Sequence, residues 1–103
     1  MENIDGVKLR QLQDQDSKLL VDFWAPWCGP CRSLMPVLES IEDNHTNVKF
    51  VKINIDENME FALQMGVTSV PTVMIFEGKN LVNKKVGLNP KNVYSDLLNS
   101  LNV

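Results

Sequence analysis

Cys28 and Cys31 are the only two cysteines in the chain, and they are separated by Gly29 and Pro30. Thiols at this spacing can serve as a structural disulfide, as half of a metal site, or as a dithiol that is oxidised and reduced in turn. As a structural bridge the pair would close a four-residue loop. The chain-entropy relation gives such a loop about 2 kcal/mol, against about 3 for fifteen residues, and ring strain subtracts from that. A structural zinc needs four ligands, and the chain offers no second cysteine pair and one histidine, His45. A closed site would have to recruit carboxylates or a second chain. His45, at the end of a helical pattern, reads as a solvated residue favourable to the helix dipole. The redox reading needs a particular placement of the two sulfurs, which the surrounding elements must supply.

Composition narrows the setting. A chain of 103 residues, 44% hydrophobic and 22% charged, is read as one domain able to bury a core without staples. A net charge of −3 and a pI near 5.0 provide no basic stripe for phosphates, so direct nucleic-acid binding is not expected. The start, Met1 to Asp5, is acidic and lacks a signal-peptide pattern. No apolar run approaches the roughly 18 residues needed to span a bilayer. The expectation is a cytoplasmic protein, in a compartment where ordinary thiols stay reduced. That weakens the structural-disulfide reading further.

Several elements can be read along the chain. Asp5 is a candidate cap for a helix over 6–14, although Val7 to Arg10 also alternates like a strand; 14–18 reads as a polar connection. Leu19 to Ala25 is almost wholly apolar, the pattern of a strand buried on both faces. Asp22 breaks that pattern. From Cys28 onward Leu34, Leu38 and Ile41 recur at helical spacing, flanked by Met35 and Val37. Pro30 suits a first turn, and Pro36 removes an internal helical bond.

Val48 to Ile55 reads as a second core strand. Asp56 to Asn58 offer caps for a short helix ending at Gly66. Val73 to Glu77 and Leu81 to Val86 form a hairpin around Gly78-Lys79-Asn80, and Gly87 ends it. Asn89 and Pro90 supply the cap and first position of a last helix, with Val93, Leu97 and Leu101 on its stripe and Tyr94 and Leu98 widening it. The order predicts an α/β fold, a mixed sheet with helices on both faces.

The cysteines fall at the joint between a strand and a helix. Free backbone N–H groups and the helix dipole favour a thiolate at Cys28, and the thiolate is the nucleophile of disulfide exchange. Cys31 lies one turn further in, better shielded, and stays protonated longer. Cys28 therefore attacks and Cys31 resolves the mixed disulfide.

Trp27-Cys28-Gly29-Pro30-Cys31 following Val21-Asp22-Phe23-Trp24-Ala25 resembles the active-site signature of the thioredoxin family. Lys52 to Asp56, Val70-Pro71-Thr72 and Lys85-Val86-Gly87 recur in that family's order, so the resemblance spans roughly residues 19–101. It implies a thioredoxin fold with a central sheet of four to five strands. It also implies a buried Asp22 behind the dithiol, where desolvation raises its pKa and lets it accept the Cys31 proton. Without the resemblance, Asp22 would read as a strand-edge carboxylate reaching water.

Lys52 would approach Asp22 and modulate it; its plainer reading is a solvated strand lysine. The resemblance further implies a cis bond before Pro71, leaving the Val70 backbone to pair with an extended substrate segment. Trp27, Gly29, Pro30, Val70, Gly87 and Leu88 would form the docking surface. Trp24 reads as a packing residue. The segment before residue 19 is shorter than usual for the family, which leaves the first strand truncated or missing. Small departures at Ser69 and in the turn at Glu77-Gly78-Lys79 do not touch the dithiol.

The expected activity is protein-disulfide reduction by a monomer, with no bound cofactor or metal and a redox-active Cys28–Cys31 disulfide. Disulfide-containing proteins would be its targets. A separate reductase, an NADPH-dependent flavoprotein, would recycle it, since the chain has no nucleotide-binding glycine motif. Two alternatives share the fold. One is a disulfide oxidase or isomerase, and the other is a non-catalytic accessory subunit using the fold as a binding module.

Overall fold

The apolar run interrupted by Asp22 becomes the middle strand of the sheet. The computed structural model describes residues 1–15 and 17–101. Its elements are β1 (Glu2–Asn3), α1 (Gly6–Asp14), β2 (Lys18–Trp24), α2 (Gly29–Glu42) and β3 (Val48–Asn54). They continue with α3 (Met59–Gln64), β4 (Thr72–Glu77), β5 (Asn80–Val86) and α4 (Lys91–Ser100). The strands are ordered β1-β3-β2-β4-β5. β2 runs parallel to β3 and antiparallel to β4, so it is flanked on both sides. This is the expected mixed sheet, with five strands. The connection expected over 14–18 includes Asp16, which lies outside the described residues.

Each face of the sheet has its own core. Leu19, Val21 and Phe23 of β2 pack with Leu9 and Leu12 of α1 and Ala62 of α3. Leu20 packs on the opposite face, with Leu34, Leu38 and Ile41 of α2 and Tyr94 and Leu98 of α4. Strand side chains alternate, so Asp22 shares the Leu20 face, under α2 and α4. The helix that begins at the dithiol is thus fixed by its apolar stripe onto the face where the carboxylate lies.

The ends of the elements follow local chemistry, with some differences from expectation. Asp5 caps α1, its Oδ1 accepting the Lys8 N–H at 2.8 Å. Gly66, at φ +78°, closes α3: its N–H donates to the Leu63 carbonyl and that of Val67 to the Ala62 carbonyl, a Schellman pair. At the other end of α3, Asn58 stands in the cap position but makes no side-chain cap. Its amide donates to the Asn54 carbonyl instead.

The last helix begins one residue later than expected, with Pro90 as its cap and Lys91 its first position. Asn89 turns its amide to the Gly87 carbonyl and the Tyr94 hydroxyl. The buried centre of α4 is Tyr94 and Leu98, while Val93 and Leu97 are half-buried flanks. His45 is buried, contrary to the solvated role expected, because the chain turns there directly into β3: its N–H donates to Glu42 and its carbonyl accepts from Val48.

β1 is present and truncated to two residues, parallel to Val51 and Lys52 of β3. At the other edge β5 pairs with β4, and the register slips where Ile75 faces Asn83 but Phe76 faces Leu81. Val82 is the extra residue of that bulge.

α1 and α3 meet closely enough to yield a stability prediction. A Cβ on Gly6 would lie 2.6 Å from Cγ and Cδ1 of the Phe61 ring, which packs on the core. Displacing a packed ring is expected to make Gly6→Ala less stable by about 1–3 kcal/mol, less any small gain in helix propensity. Urea unfolding would read this as a lower midpoint at unchanged m; an equal or higher midpoint would contradict it.

Candidate active site

Cys28 caps α2. It has extended backbone, its N–H donates to the Ala25 carbonyl at 3.1 Å, and its carbonyl accepts from Arg32. The Cys28 Sγ accepts the Cys31 backbone N–H at 3.2 Å. The Cys28 sulfur therefore occupies the position where helices ordinarily place a serine or aspartate oxygen, and it receives the same positive end of the dipole. Pro30 falls in the first turn, where no N–H is needed. Arg32 ties the joint down, its guanidinium donating to the Pro26 carbonyl at 2.9 Å.

The two cysteines are disulfide-bonded, with Cα atoms 5.3 Å apart, so the structure shows the oxidised form. Both are buried, Cys28 with 4% of its surface exposed and Cys31 with none. They pack with Ala25, and Trp24, Ile55 and Val70 lie against the cluster. The Val70–Pro71 peptide bond is cis, and the Pro71 carbonyl accepts the Gly87 N–H at 2.8 Å. Val70, Pro71 and Gly87 are thereby joined beside the cysteines. Gly87 has φ +85°, which favours glycine there. Leu88, next in the chain, is exposed, as are Trp27 and Pro30; Gly29 is half-buried. The Trp27 indole N–H donates to Asp56 Oδ1 at 3.2 Å, which holds an otherwise 66% exposed ring in one orientation. Asp56, a cap candidate in the sequence, thus orients an exposed ring next to Cys28.

On the sheet face under α2 and α4, Asp22 is fully buried and neither carboxylate oxygen has a hydrogen-bond partner. Desolvation pushes its pKa up to about 7, against the attraction of Lys52, which lowers it. Lys52 stands opposite Asp22 in register, and Val73 flanks it on the other side. The ammonium does not bond the carboxylate. Lys52 donates to Met35 Sδ at 3.7 Å and lies over the Trp24 ring at 5.1 Å. Tyr94 reaches the same region from α4, and burial raises its pKa above the usual phenol value.

Met35 and Tyr94 had appeared in the sequence only as parts of apolar stripes. Met35 follows Cys31 by four residues and so shares its helical face, a signal that was present. Among the described residues no cluster of three or more His, Cys, Asp or Glu could hold a metal. A groove of about 840 Å³ lined in part by Met1, Glu42, Val48 and Phe50 contains none of these site residues.

Known proteins share this arrangement. The thioredoxin family profile matches residues 9–100. Thioredoxin 1 of Nostoc sp. is 45% identical over 95 residues, covering 91% of this chain and 89% of its own. The thioredoxin of Synechocystis sp. is 48% identical over 86 residues, covering 82% and 80%. Among solved structures, a mutant thioredoxin from Halobacterium salinarum superposes with a TM-score of 0.88 at 35% identity, covering 96% of this chain and 88% of that one. The Plasmodium falciparum thioredoxin gives 0.89 at 26% identity, covering 97% and 98%. With the cysteine pair at the head of α2 and relatives this similar along nearly the whole chain, the protein belongs to the thioredoxin family and is a thiol–disulfide oxidoreductase that works through its own cysteine pair.

Proposed function

We propose that Cys28, Cys31 and Asp22 divide the reduction of a protein disulfide as follows. The Cys28 thiolate attacks one sulfur of the target disulfide, and the other target sulfur leaves with the bonding pair and takes a proton. A Cys28–target mixed disulfide results. Cys31 then gives its proton to the Asp22 carboxylate, directly or through water, and its sulfur attacks Cys28 Sγ. The second target sulfur leaves with the bonding pair and takes the proton that Asp22 holds, leaving the Cys28–Cys31 disulfide. Two electrons have passed to the target, with one proton from Cys31 and one from solvent, to which the Cys28 thiol had released its own. Lys52 modulates Asp22 by its charge.

The observation that carries this reading is the unpartnered, buried Asp22 carboxylate on the sheet face covered by the helix that bears Cys31, with a pKa of about 7. A base tuned to neutrality can take a proton and lose it again in each cycle.

Docking would use Trp27, Gly29, Pro30, Val70, Pro71, Gly87 and Leu88. The exposure of Trp27 and Leu88 and the junction of Val70 and Pro71 with Gly87 support that surface. The family acts on disulfide targets and is reduced by thioredoxin reductase. For this chain we take that reductase to be an NADPH-dependent flavoprotein, and the working unit to be a monomer in which residues 1–103 form one domain. A cytoplasmic site of action fits a cycle that starts from a reduced dithiol.

The test is the intermediate. With Cys31→Ser the first step remains and the second is blocked. Incubation with an insulin-type substrate is expected to yield a protein–substrate adduct, visible by mass and reversed by excess reductant. Its absence under trapping conditions would remove Cys31 from the resolving role.

A further inference from the structure

The Lys52 ammonium has unusual company. It lies 3.7 Å from the Met35 sulfur and 5.1 Å from the centre of the Trp24 ring. It stands opposite Asp22 in register, yet both Asp22 oxygens are without a hydrogen-bond partner. An ammonium is strongly hydrated, and a lysine side chain ordinarily extends its head toward water. Here the side chain is half-buried and its ammonium is met by a thioether and an indole face, two groups that attract a cation without an ionic partner. The indole is itself fixed from its edge, its N–H donating to Asn3 Oδ1 of β1 at 3.2 Å. Met35 projects from α2 one turn after Cys31, on the same side.

From this geometry we infer that Met35 is a positioning residue: its sulfur, with the Trp24 ring, anchors the Lys52 ammonium on the sheet face where Asp22 is buried, instead of releasing it to solvent. The inference rests on the reading of Asp22 as proton acceptor. The other groups that face Asp22 do not compete for this role. Tyr94, on α4, stays neutral through the working range because burial raises it further from neutrality. The cysteine pair of α2 holds no proton in the oxidised protein. Lys85 lies in the same row but beyond Val73, two strands away. Lys52 is the cation whose attraction opposes the desolvation of Asp22. Whatever holds its ammonium in place therefore controls the base.

The experiment is an NMR titration of the Asp22 side-chain carboxyl in the oxidised protein, where neither cysteine titrates. Lys52→Met is expected to raise the Asp22 pKa by about one pH unit, as for loss of an opposite charge a few ångströms away. Met35→Leu, close in volume but without an acceptor, should give roughly a third or more of that rise. Met35→Gln, unbranched and carrying an amide oxygen at similar reach, should return the titration toward the wild type. In the Lys52→Met background, Met35→Leu should change nothing further.

The anchor is overturned if Lys52→Met moves the titration and Met35→Leu does not, or if Met35→Leu lowers the pKa. It is equally overturned if Met35→Leu acts the same with Lys52 absent, or if Lys52→Met itself has no effect. The reading of Asp22 as proton acceptor fails by a separate observation: an unchanged rate and pH profile of the Cys31 attack in Asp22→Asn.

Discussion

Cys28→Ser is expected to reduce turnover of a protein disulfide to the rate of uncatalysed exchange while leaving the fold intact. The chemical half follows from the nucleophile. A serine hydroxyl does not ionise near neutrality and cannot form the sulfur–sulfur bond through which exchange proceeds. The structural half follows from the position Cys28 occupies. It is the cap of α2, and its sulfur accepts the Cys31 N–H. Serine is among the preferred residues for that role, so its oxygen can take over the bond. Loss of activity in this variant therefore separates chemistry from folding. Insulin reduction and thermal melting on the same sample read both. Retained turnover would show that the nucleophile is elsewhere, and a collapse of the melting temperature would show that the sulfur holds the helix in a way an oxygen cannot.

Asp22→Asn is expected to make the protein markedly more stable above neutral pH and less active. An acid whose folded pKa lies above its unfolded value binds its proton more tightly in the native state. Stability is then highest below the unfolded pKa and falls as pH rises toward the folded one. For Asp22 that window runs from 3.8 to about 7. Across it the wild type forfeits about 4 kcal/mol, at roughly 1.4 kcal/mol per pH unit.

An asparagine carries no charge at any pH and has nearly the shape of the protonated acid. The two proteins should match at about pH 4, diverge steadily, and differ by about 4 kcal/mol at about pH 8. Denaturant midpoints at a series of pH values would show this; parallel curves would mean that Asp22 does not titrate as described. On the proposed mechanism the same change also removes the proton acceptor. Attack by Cys31 should slow by roughly 10- to 100-fold, the low end for a positioned base because water can substitute. Resolution of a preformed mixed disulfide, followed by stopped flow, measures that step alone.

The site was legible in the sequence to the extent that its residues violate local patterns. Asp22 broke an apolar strand, and burial explains why such a break signals function: an uncompensated carboxylate there is unfavourable for the fold. The cysteines declared themselves by falling at a strand-to-helix joint. The cis bond before Pro71 came from resemblance, since its local sequence specifies no isomer.

What stayed hidden depends on contacts between elements distant in the chain. Met35 meets Lys52 because α2 lies over β3, and no periodicity in either segment encodes that meeting. His45 looked like a solvated helix end because local reasoning could not see how directly the chain turns into β3. The start of α4 was misplaced by one residue because Asn89 has better partners in Gly87 and Tyr94 than the helix it precedes.

The bulge at Val82 has a consequence for how chains behave together. β5 is an outer strand that leaves Leu81, Val82 and Val86 exposed, and an apolar free edge is an invitation for another molecule to add a strand. The extra residue breaks the regular ladder in the middle of that edge, and Lys84 and Lys85 follow it with like charge. Two copies zipping along it would leave bonds unmade and bring lysines together, so one inserted residue works against edge-to-edge association.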